Sequence, residues 1–505
     1  MDNSTQEAAI RPESEAASAR PANSQPGAEA KPPAGSLALK AGVWYVVSSV
    51  MVKAISIITT PLFTRMLSTS EYGTVQTFTS WHGLLLPFFT LNLTYSIGRA
   101  KLDFPGRLDE YIGSMQTLAT LWSALLTLIA LACLEPVAAL LDLTRFQTVL
   151  LLAYLLFQIA ILMQQNGYRY TYQYKQNIAI AWYSAVVSSL LSIALILILK
   201  EKRDDLRIIG FVAPTAALSV FLWGKSIRSR SVCIRREYWA HGLKLALPLI
   251  LHNVSLHILS QSDRIFITKI WGKTDTAYYS LAYSVGALLT IVTSAIAQGW
   301  LPWFHDTYFA KQFGLIKKNV KPVVILGCYI GLACTALAPE AVLLLGGAKY
   351  AASVPCVAPI VLGVVCQYIY TNYVNIEMHL KKTLFISIGT ICAALFNILT
   401  NAVFIPRYGF IAAAYTTFAS YCLLMLIHFF LTRKLLHVKL FDDLFMFASL
   451  AVTGLLTGVI LFTYRYPPLR YALLAVGFAS FLFFFRSYIK DWIRKLPFFR
   501  QKQEP

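Results

Sequence analysis

The sequence predicts an all-α polytopic membrane protein, and two observations carry that prediction. About fourteen apolar stretches of roughly 17–25 residues fill almost everything after residue 40, and a helix of that length crosses a hydrocarbon core about 30 Å thick. Only 13% of the 505 residues are charged, against about 25% in soluble domains. Because backbone groups in lipid must be satisfied within their own segment, we expect these stretches to be helices.

The order of the apolar stretches also predicts a topology. An even number of spans places both termini on one side, and 25 basic residues lie on that side against 13 on the other. Basic residues accumulate in the cytoplasm, so we expect both termini to be cytoplasmic. The predicted spans are 41–63, 74–98, 112–134, 148–168, 178–199, 208–224, 244–263, 278–300, 321–338, 354–375, 383–404, 409–431, 444–463 and 470–486.

Composition divides the chain further. Residues 1–39 are rich in Ala, Pro, Ser, Glu and Gly with almost no large apolar residues, which predicts a disordered cytoplasmic tail. The spans then predict an N-terminal lobe over 40–225, a cytoplasmic linker over 226–243, a C-terminal lobe over 244–433, two further spans within 434–488 and a cytoplasmic tail over 489–505.

Several function classes are excluded or disfavoured. The net charge of +20 follows the topology, and the short loops that hold it could not assemble a nucleic-acid-binding fold. Gly224-Lys225-Ser226 resembles the end of a phosphate loop, but Ser219 stands where the first glycine belongs and no strand precedes it. No metal spacing, cofactor motif or large catalytic loop is evident, which favours a passive or secondary transporter over an enzyme.

An internal repeat relates the two lobes. Residues 40–65 and 244–269 align without gaps at an offset of 204, and six spans separate their starts, so the repeats run parallel. Parallel halves related by an axis along the membrane normal are an established transporter plan. Each segment carries polar residues on one helical face, and such a stripe should meet a wet cavity or another helix. The stripes are Ser49, Lys53, Ser56 and Thr60 in the first span, and Asn253, His257, Gln261 and Arg264 in the seventh.

These stripes are the candidate substrate site. An unpaired ammonium such as Lys53 costs about 2.5–3.5 kcal/mol at mid-span, which favours a functional role, whereas Ser, Thr and Asn commonly serve interhelical hydrogen bonds instead. A neutral histidine at a helix interface, such as His257, is also ordinary. Asp263 adjoins Arg264, and it is either an ion-pair partner of that arginine or a residue that couples transport to an ion.

The residues resemble a known family. Lys40-Ala-Gly-Val-Trp-Tyr, Pro61-Leu-Phe-Thr-Arg65 and Glu71-Tyr72-Gly73 resemble the first span and loop of bacterial Wzx-type polysaccharide flippases, and Ser262-Asp263-Arg264 with Ala277-Tyr278-Tyr279-Ser280 resembles the start of their second half. Gly346-Gly347-Ala-Lys349-Tyr350 and Ile405-Pro406-Arg407-Tyr408-Gly409 are similar to their later loops. The resemblance covers about residues 40–490.

The resemblance implies the fold of the multidrug/oligosaccharidyl-lipid/polysaccharide exporter superfamily, with two six-helix lobes in a V and two additional C-terminal helices. It implies that undecaprenyl-diphosphate-linked oligosaccharide moves from the inner to the outer leaflet of the bacterial inner membrane for surface polysaccharide synthesis, by alternating access. Lys53 and Arg264 then fit a cationic cavity for the diphosphate, with Arg65 nearer the outer mouth.

The resemblance also implies the partners, which are membrane lipids and a polysaccharide polymerase with its export machinery, and coupling to protons, sodium or the membrane potential. Two alternatives stay open. One is a drug or organic-cation antiporter of the MATE type, and the other, less favoured, is a membrane polysaccharide polymerase or ligase.

Overall fold

The fold is built from helices that follow one another along the chain. The computed structural model describes residues 35–229, 232–380, 382–435 and 437–495, and its helices number seventeen in that part of the chain. They are α1 (Gly35–Met66), α2 (Thr69–Thr90), α3 (Ile97–Asp103), α4 (Leu108–Ala132), α5 (Leu134–Leu141), α6 (Arg145–Tyr170), α7 (Tyr174–Leu199), α8 (Arg203–Arg228), α9 (Arg236–Trp271), α10 (Lys273–Phe309), α11 (Phe313–Ala336), α12 (Ala338–Gly346), α13 (Val354–His379), α14 (Thr383–Tyr408), α15 (Phe410–Phe430), α16 (Asp443–Phe462) and α17 (Pro467–Lys495).

The predicted all-α membrane class is confirmed. Thirteen helices among the described residues are long and apolar enough to cross a membrane. The one predicted span that is not among these thirteen is the second, 74–98, which corresponds to α2. This helix has 22 residues and reaches about 33 Å at 1.5 Å per residue, but it is more polar. The predicted tails lie mostly outside the described residues, at 1–34 and 496–505, while α1 begins at Gly35, five residues before the predicted lobe boundary.

Helix α2 shows why a polar span is stable here. Ser68 begins it with a capping box in which the Ser68 hydroxyl accepts from the Glu71 amide and the Glu71 carboxylate accepts from the Ser68 amide. The helix then packs between the first and second halves of the chain, against α6 and α8 on one side and α9 and α10 on the other. Thr77 and Ser80 are fully buried there, so their hydroxyls meet protein rather than lipid.

The predicted end of the second span, at residue 98, is wrong. Helix α2 stops at Thr90, because Leu91 and Asn92 take left-handed backbone conformations with φ of 49° and 52°. A short 3₁₀ turn over Leu93–Ser96 and then α3 follow. An uninterrupted apolar run does not reveal such a break, since neither Gly nor Pro marks it.

Two groups of helices pack mainly among themselves. Helices α4, α6, α7 and α8 form one group, and α9, α10, α11, α13, α14 and α15 form the other, while α2 lies between them and packs most extensively against α9 and α10. Helix α16 lies against α11 and α13, and α17 against α11. The largest hydrophobic core lies mostly in the second group, around residues such as Tyr279, Phe304 and Tyr373.

Helix α1 is bonded to the rest of the chain mainly at the end where it finishes, with one further bond near its beginning, from the Tyr45 hydroxyl to the Tyr168 carbonyl at 3.3 Å. Thr64 Oγ1 donates to the Leu345 carbonyl at 2.5 Å, and Lys349 Nζ donates to the Leu67 carbonyl at 2.6 Å. We call the end of the bundle where α1 finishes the outer end, and the end where it begins the inner end.

Candidate functional site

The polar stripe of α9 faces α2 across the boundary between the halves. Tyr95, in the 3₁₀ turn that follows α2, donates its hydroxyl hydrogen to Asn253 Oδ1 at 2.9 Å, and Ser80 of α2 donates to Gln261 Oε1 at 3.2 Å. Because α2 belongs to the first half of the chain and α9 to the second, these bonds join the two halves. Asn253 and Gln261 therefore occupy a helix–helix interface.

Arg264 is the cation at the centre of this boundary. Its side chain is 7% exposed, and its guanidinium donates to Ser280 Oγ at 3.0 Å, to the Ser260 carbonyl at 2.9 Å and to Gln261 Oε1 at 2.9 Å. The Tyr283 ring lies 4.6 Å from the guanidinium carbon, within the range of a cation–π contact. Arg264 is thus held by neutral partners and keeps its positive charge uncompensated by any ion pair among the described residues.

His257 lies one turn before Gln261 on the same face. It is half-buried, and a Cβ placed on Gly83 of α2 would lie 3.7 Å from its Nδ1. The imidazole therefore lies next to Gly83 of α2, where an added Cβ would make only ordinary contacts.

Asp263 is bonded to three helices of the second half, α10, α14 and α15. It is fully buried, and one carboxylate oxygen accepts from Tyr279 at 2.5 Å and from Thr417 at 2.6 Å. The other oxygen accepts from Asn401 at 2.7 Å and from Asn397 at 3.5 Å. No salt bridge joins Asp263 to Arg264 in the described structure, but the two charges interact electrostatically. The interpretation of Asp263 as the ion-pair partner of Arg264 therefore stays a prediction.

The Asp263 carboxylate interacts electrostatically with the neighbouring Arg264 but forms no hydrogen bond with it in the described structure. All four of its hydrogen-bond partners donate and none is cationic, so they stabilise the ionised form without neutralising it. A buried carboxylate is costly in a membrane interior, so a proton or a small cation would stabilise the site. Asn and Thr oxygens beside a carboxylate are also the ligands that hard cations prefer.

The stripe of α1 lies in a different setting. Lys53 is half-buried and forms no hydrogen bond or ion pair with the residues that the structure describes, while Thr60 donates to the Ser56 carbonyl of its own helix at 2.7 Å. Ser49 and Ser56 are exposed. The two matched stripes are therefore not brought together in one hydrogen-bonded cluster. Arg65 lies at the outer end, exposed, with one long contact of 3.5 Å to the Leu344 carbonyl.

Arg207 is a cation that the sequence reasoning did not single out, because it was counted with the loop before the sixth span. Its guanidinium carbon lies 3.6 Å from the centre of the Phe63 ring and 4.1 Å from that of Phe211, and Nη1 donates to Ser192 at 2.7 Å. Arg207 thus connects the outer part of α1 to α8. Arg207 lies next to Asp204 and Asp205 in the first turns of α8. A count of charges by loop therefore assigned it to the loop and not to the span.

The partners of Asp263 were missed as well, although a signal was present. Asn397 and Asn401 stand four residues apart in an otherwise apolar span, and this spacing puts both amides on one helical face. Thr416 and Thr417 lie opposite on α15, where Thr416 donates to Asn401 Oδ1 at 2.5 Å. Intramembrane amides at this spacing indicate a polar contact between helices.

Comparison with known proteins places these features in a family. The sequence pattern of the family described as "Polysaccharide biosynthesis protein" matches residues 38–308, which is more than half of the chain. The chain belongs to this family. A curated relative, "Lsg locus putative protein 1" of Haemophilus influenzae, is 21% identical over 280 residues, which cover 54% of this chain and 67% of that protein.

Solved structures show the same fold at low identity. The lipid II flippase MurJ in an inward closed conformation superposes with a TM-score of 0.67 at 15% identity, covering 88% of this chain and 100% of that one. An inward-facing multidrug resistance MATE family transporter of the MOP superfamily gives 0.60 at 13% identity, with 80% and 98% covered. A MOP superfamily transporter from Pyrococcus furiosus gives 0.53 at 12% identity, with 83% and 96% covered.

These similarities confirm the resemblance drawn from the sequence. The protein is a multi-pass membrane protein of the polysaccharide biosynthesis family with the MurJ- and MATE-like transporter fold. The fold is shared with a lipid II flippase and with MATE family transporters.

Proposed function

We propose that this protein flips undecaprenyl-diphosphate-linked oligosaccharide from the inner to the outer leaflet of the bacterial inner membrane, by alternating access between its halves. The observation that carries the proposal is the combination of a polysaccharide biosynthesis family with a transporter fold. A sugar chain on a polyprenyl diphosphate is the form of this substrate that has to cross a bilayer, and its charged head cannot cross hydrocarbon unaided.

The cations on the repeat-related helices suit that head group. Arg264 has uncompensated charge at the boundary between the halves, and Lys53 is a half-buried cation with no partner among the described residues. Both can offer charge-assisted hydrogen bonds to phosphate oxygens. In the proposed cycle Lys53 is the more available of the two, since it has no bonds to break before it binds the diphosphate.

Asp263 is the proposed coupling residue. Its carboxylate lies between α9, α10, α14 and α15, so a proton or sodium ion that neutralises it would change the packing of four helices together. Movement of that ion down its gradient, or the membrane potential acting on it, would then drive the exchange between states.

We expect the predicted topology, with both termini cytoplasmic. The proposed partners are membrane lipids, a polysaccharide polymerase and export machinery.

Single cysteines at Lys202 and Ser229, in a background without other cysteines, test the orientation with an impermeant reagent. Labelling of Lys202 alone from outside supports it, and equal labelling of both positions contradicts it.

A drug or organic-cation antiporter is the second candidate, because MATE transporters have the same fold. Such an antiporter should place carboxylates toward its substrate, whereas the carboxylate of Asp263 is fully enclosed and the boundary between the halves holds Arg264. This arrangement favours an anionic substrate. A polymerase or ligase is disfavoured by the transporter fold.

Deletion of the gene tests the proposal. We expect surface polysaccharide to be lost and lipid-linked oligosaccharide to accumulate on the cytoplasmic leaflet, where an enzyme added outside cannot reach its sugars. A deletion strain that exports normal polysaccharide but becomes sensitive to cationic drugs would instead establish the antiporter.

A further inference from the structure

A second buried charged pair lies at the inner end of the second half, outside the boundary and away from Asp263. Glu377 in the last turn of α13 and His428 in the last turn of α15 are both fully buried. Nδ1 of His428 lies 2.9 Å and 3.0 Å from the two carboxylate oxygens of Glu377. The Tyr370 ring stacks parallel to the imidazole at 5.6 Å, so the ring is fixed in position.

The other nitrogen of His428 has no partner. Nε2 is buried without a hydrogen bond among the described residues, and it faces Gly389 on α14, where an added Cβ would lie 3.4 Å from it. A buried polar atom is expected to be paired or to have a reason for being unpaired. The absence of a side chain at Gly389 leaves this nitrogen next to the seam between α14 and α15.

The titratable groups around the pair mostly have contacts of their own. His252 of α9 is bound to Thr390, next to Gly389, at 2.8 Å and interacts electrostatically with His428, and His305 of α10 is bound to His379 at 3.1 Å. At the same end, Arg433 and Tyr373 are bound to Asp443 and Lys321 of α11 to Asp442. Lys382, just before α14, and Lys434 are exposed at the surface.

We propose that Glu377 and His428 form a proton-binding site, which exchanges its proton at His428 Nε2 when the seam between α14 and α15 opens at the inner end. The proposal rests on alternating access as the proposed mechanism of transport, and its ligand is a proton from water. No residue outside this pair is needed to hold that proton.

The charge balance gives the direction of the switch. With His428 as imidazolium and Glu377 as carboxylate the pair is neutral, and the C-terminal ends of α13 and α15 favour the cation. Loss of the Nε2 proton to water leaves Nδ1–H donating to the carboxylate and a net charge of −1. A buried net charge is unstable without a partner, so deprotonation opens the seam, and protonation allows it to close.

The test measures the seam directly, without substrate. Spin labels at the exposed positions Leu384 and Lys434, in protein without other cysteines in lipid nanodiscs, report the distance between the inner ends of α14 and α15 between about pH 5 and pH 8, where histidine changes charge. We expect the longer distance to gain population as the pH rises.

Substitutions sharpen the test by predicting opposite directions. Glu377→Gln leaves a pair that is neutral when His428 is deprotonated and +1 when it is protonated, so the seam should open at low pH instead. His428→Gln removes the imidazolium that balances the Glu377 carboxylate and should favour the open seam. The double variant should show no pH dependence. If the pair were purely structural, each variant would broaden the distance distribution in the same way, and the direction of the pH dependence would not reverse.

Gly389→Ala tests the side of the imidazole that faces α14. Its Cβ would lie 3.3 Å from His428 Cε1 and 3.4 Å from Nε2, so it crowds the ring and we expect the midpoint of opening to shift. Gly363→Ala, which makes ordinary contacts with Tyr421 at 3.4 Å, should leave the midpoint unchanged. A distance distribution that is identical across the pH range in the wild-type protein would overturn the proton site and leave the flippase proposal standing. A seam that opens with pH in a protein that transports no lipid-linked sugar would support the proton site and overturn the flippase proposal.

Discussion

Helices α1 and α9 are related by the internal repeat, yet they are embedded in different ways. Both carry polar residues on one face at nearly the same spacing. On α9 each of these polar side chains except His257 has a hydrogen-bond partner, whereas on α1 Lys53 has none among the described residues. Helix α1 is joined to its neighbours mainly at its outer end.

This difference teaches that equivalent sequence positions need not have equivalent roles. A stripe that is bonded across the boundary holds the two halves in one relative position, and a stripe with free groups is available to a ligand. We therefore expect substitutions on α9 to affect both stability and transport, and substitutions on α1 to affect transport alone.

The largest effect is expected for Arg264→Ala. It removes three hydrogen bonds from a charged donor, each worth about 1.5–3 kcal/mol. We predict loss of transport together with lower abundance in the membrane, measured by quantitative immunoblotting and by lipid-linked sugar export. Lys269→Ala, an exposed cation on the same helix, is the control that should leave both unchanged.

A double variant tests whether Asp263 and Arg264 form an ion pair. Because Asp263 is bound to Tyr279, Thr417 and Asn401 rather than to Arg264, Asp263→Ala combined with Arg264→Ala should be no more abundant than Arg264→Ala alone. Recovery of abundance and transport in the double variant would show that the two residues form a pair after all.

Lys53→Ala should separate transport from stability. The side chain has no partner to leave unsatisfied, and removing a costly ammonium from the membrane interior should keep or raise abundance. We predict that export is lost while abundance stays at the wild-type level, and that Lys53→Arg retains part of the activity because charge is kept while geometry changes. Ser56→Ala, exposed on the same helix, is the matched control, and normal export by Lys53→Ala would remove Lys53 from the substrate site.

Much of this architecture follows from the sequence. The features that do not follow from it can each be explained by packing. Apolar length identifies the spans, and the repeat identifies α1 and α9 as related, because both are local properties of the chain. The break after Thr90 is not visible, since Leu91 and Asn92 adopt left-handed conformations that only the surrounding packing imposes.

The candidate site also depends on packing that the sequence alone does not reveal. The stripe of α9 was found because its spacing is helical, but whether it meets a cavity or α2 depends on a neighbour 180 residues away in sequence, as the bond between Ser80 and Gln261 shows. Glu377 and His428 were missed because each is a single polar residue at the end of its span, and only the packing of α13 against α15 joins them.

Gly73 offers a smaller change at the outer end of the boundary. A Cβ at this position would lie 1.8 Å from the Lys273 carbonyl oxygen, so α2 and α10 approach each other as closely as glycine allows. We predict that Gly73→Ala prevents full closure of the outer end and raises the labelling of a cysteine at Ser70 by an impermeant reagent. Gly83→Ala, whose nearest contacts would be 3.5 Å or longer, is the control, and equal labelling of the two variants would show that this approach does not close the outer end.

The smallest effect is expected for Thr77→Val, which has nearly the same shape but lacks the hydroxyl. Thr77 Oγ1 lies 2.8 Å from Thr268 Oγ1 across the boundary, and Thr268 keeps a second partner in Thr276 at 2.7 Å. Hydrogen bonds between membrane helices average about 0.6 kcal/mol, a factor of about three in an equilibrium. Because the bond exists only while α2 lies against α9, its loss should shift the halves toward separation by about that factor, measured as the population of spin-label distances between Arg107 and Lys311. Thr117→Val, whose hydroxyl bonds within its own helix to Gly113 at 2.8 Å, should leave the distribution unchanged, and an equal shift in both variants would show that the hydroxyl pair does not help to hold the halves together.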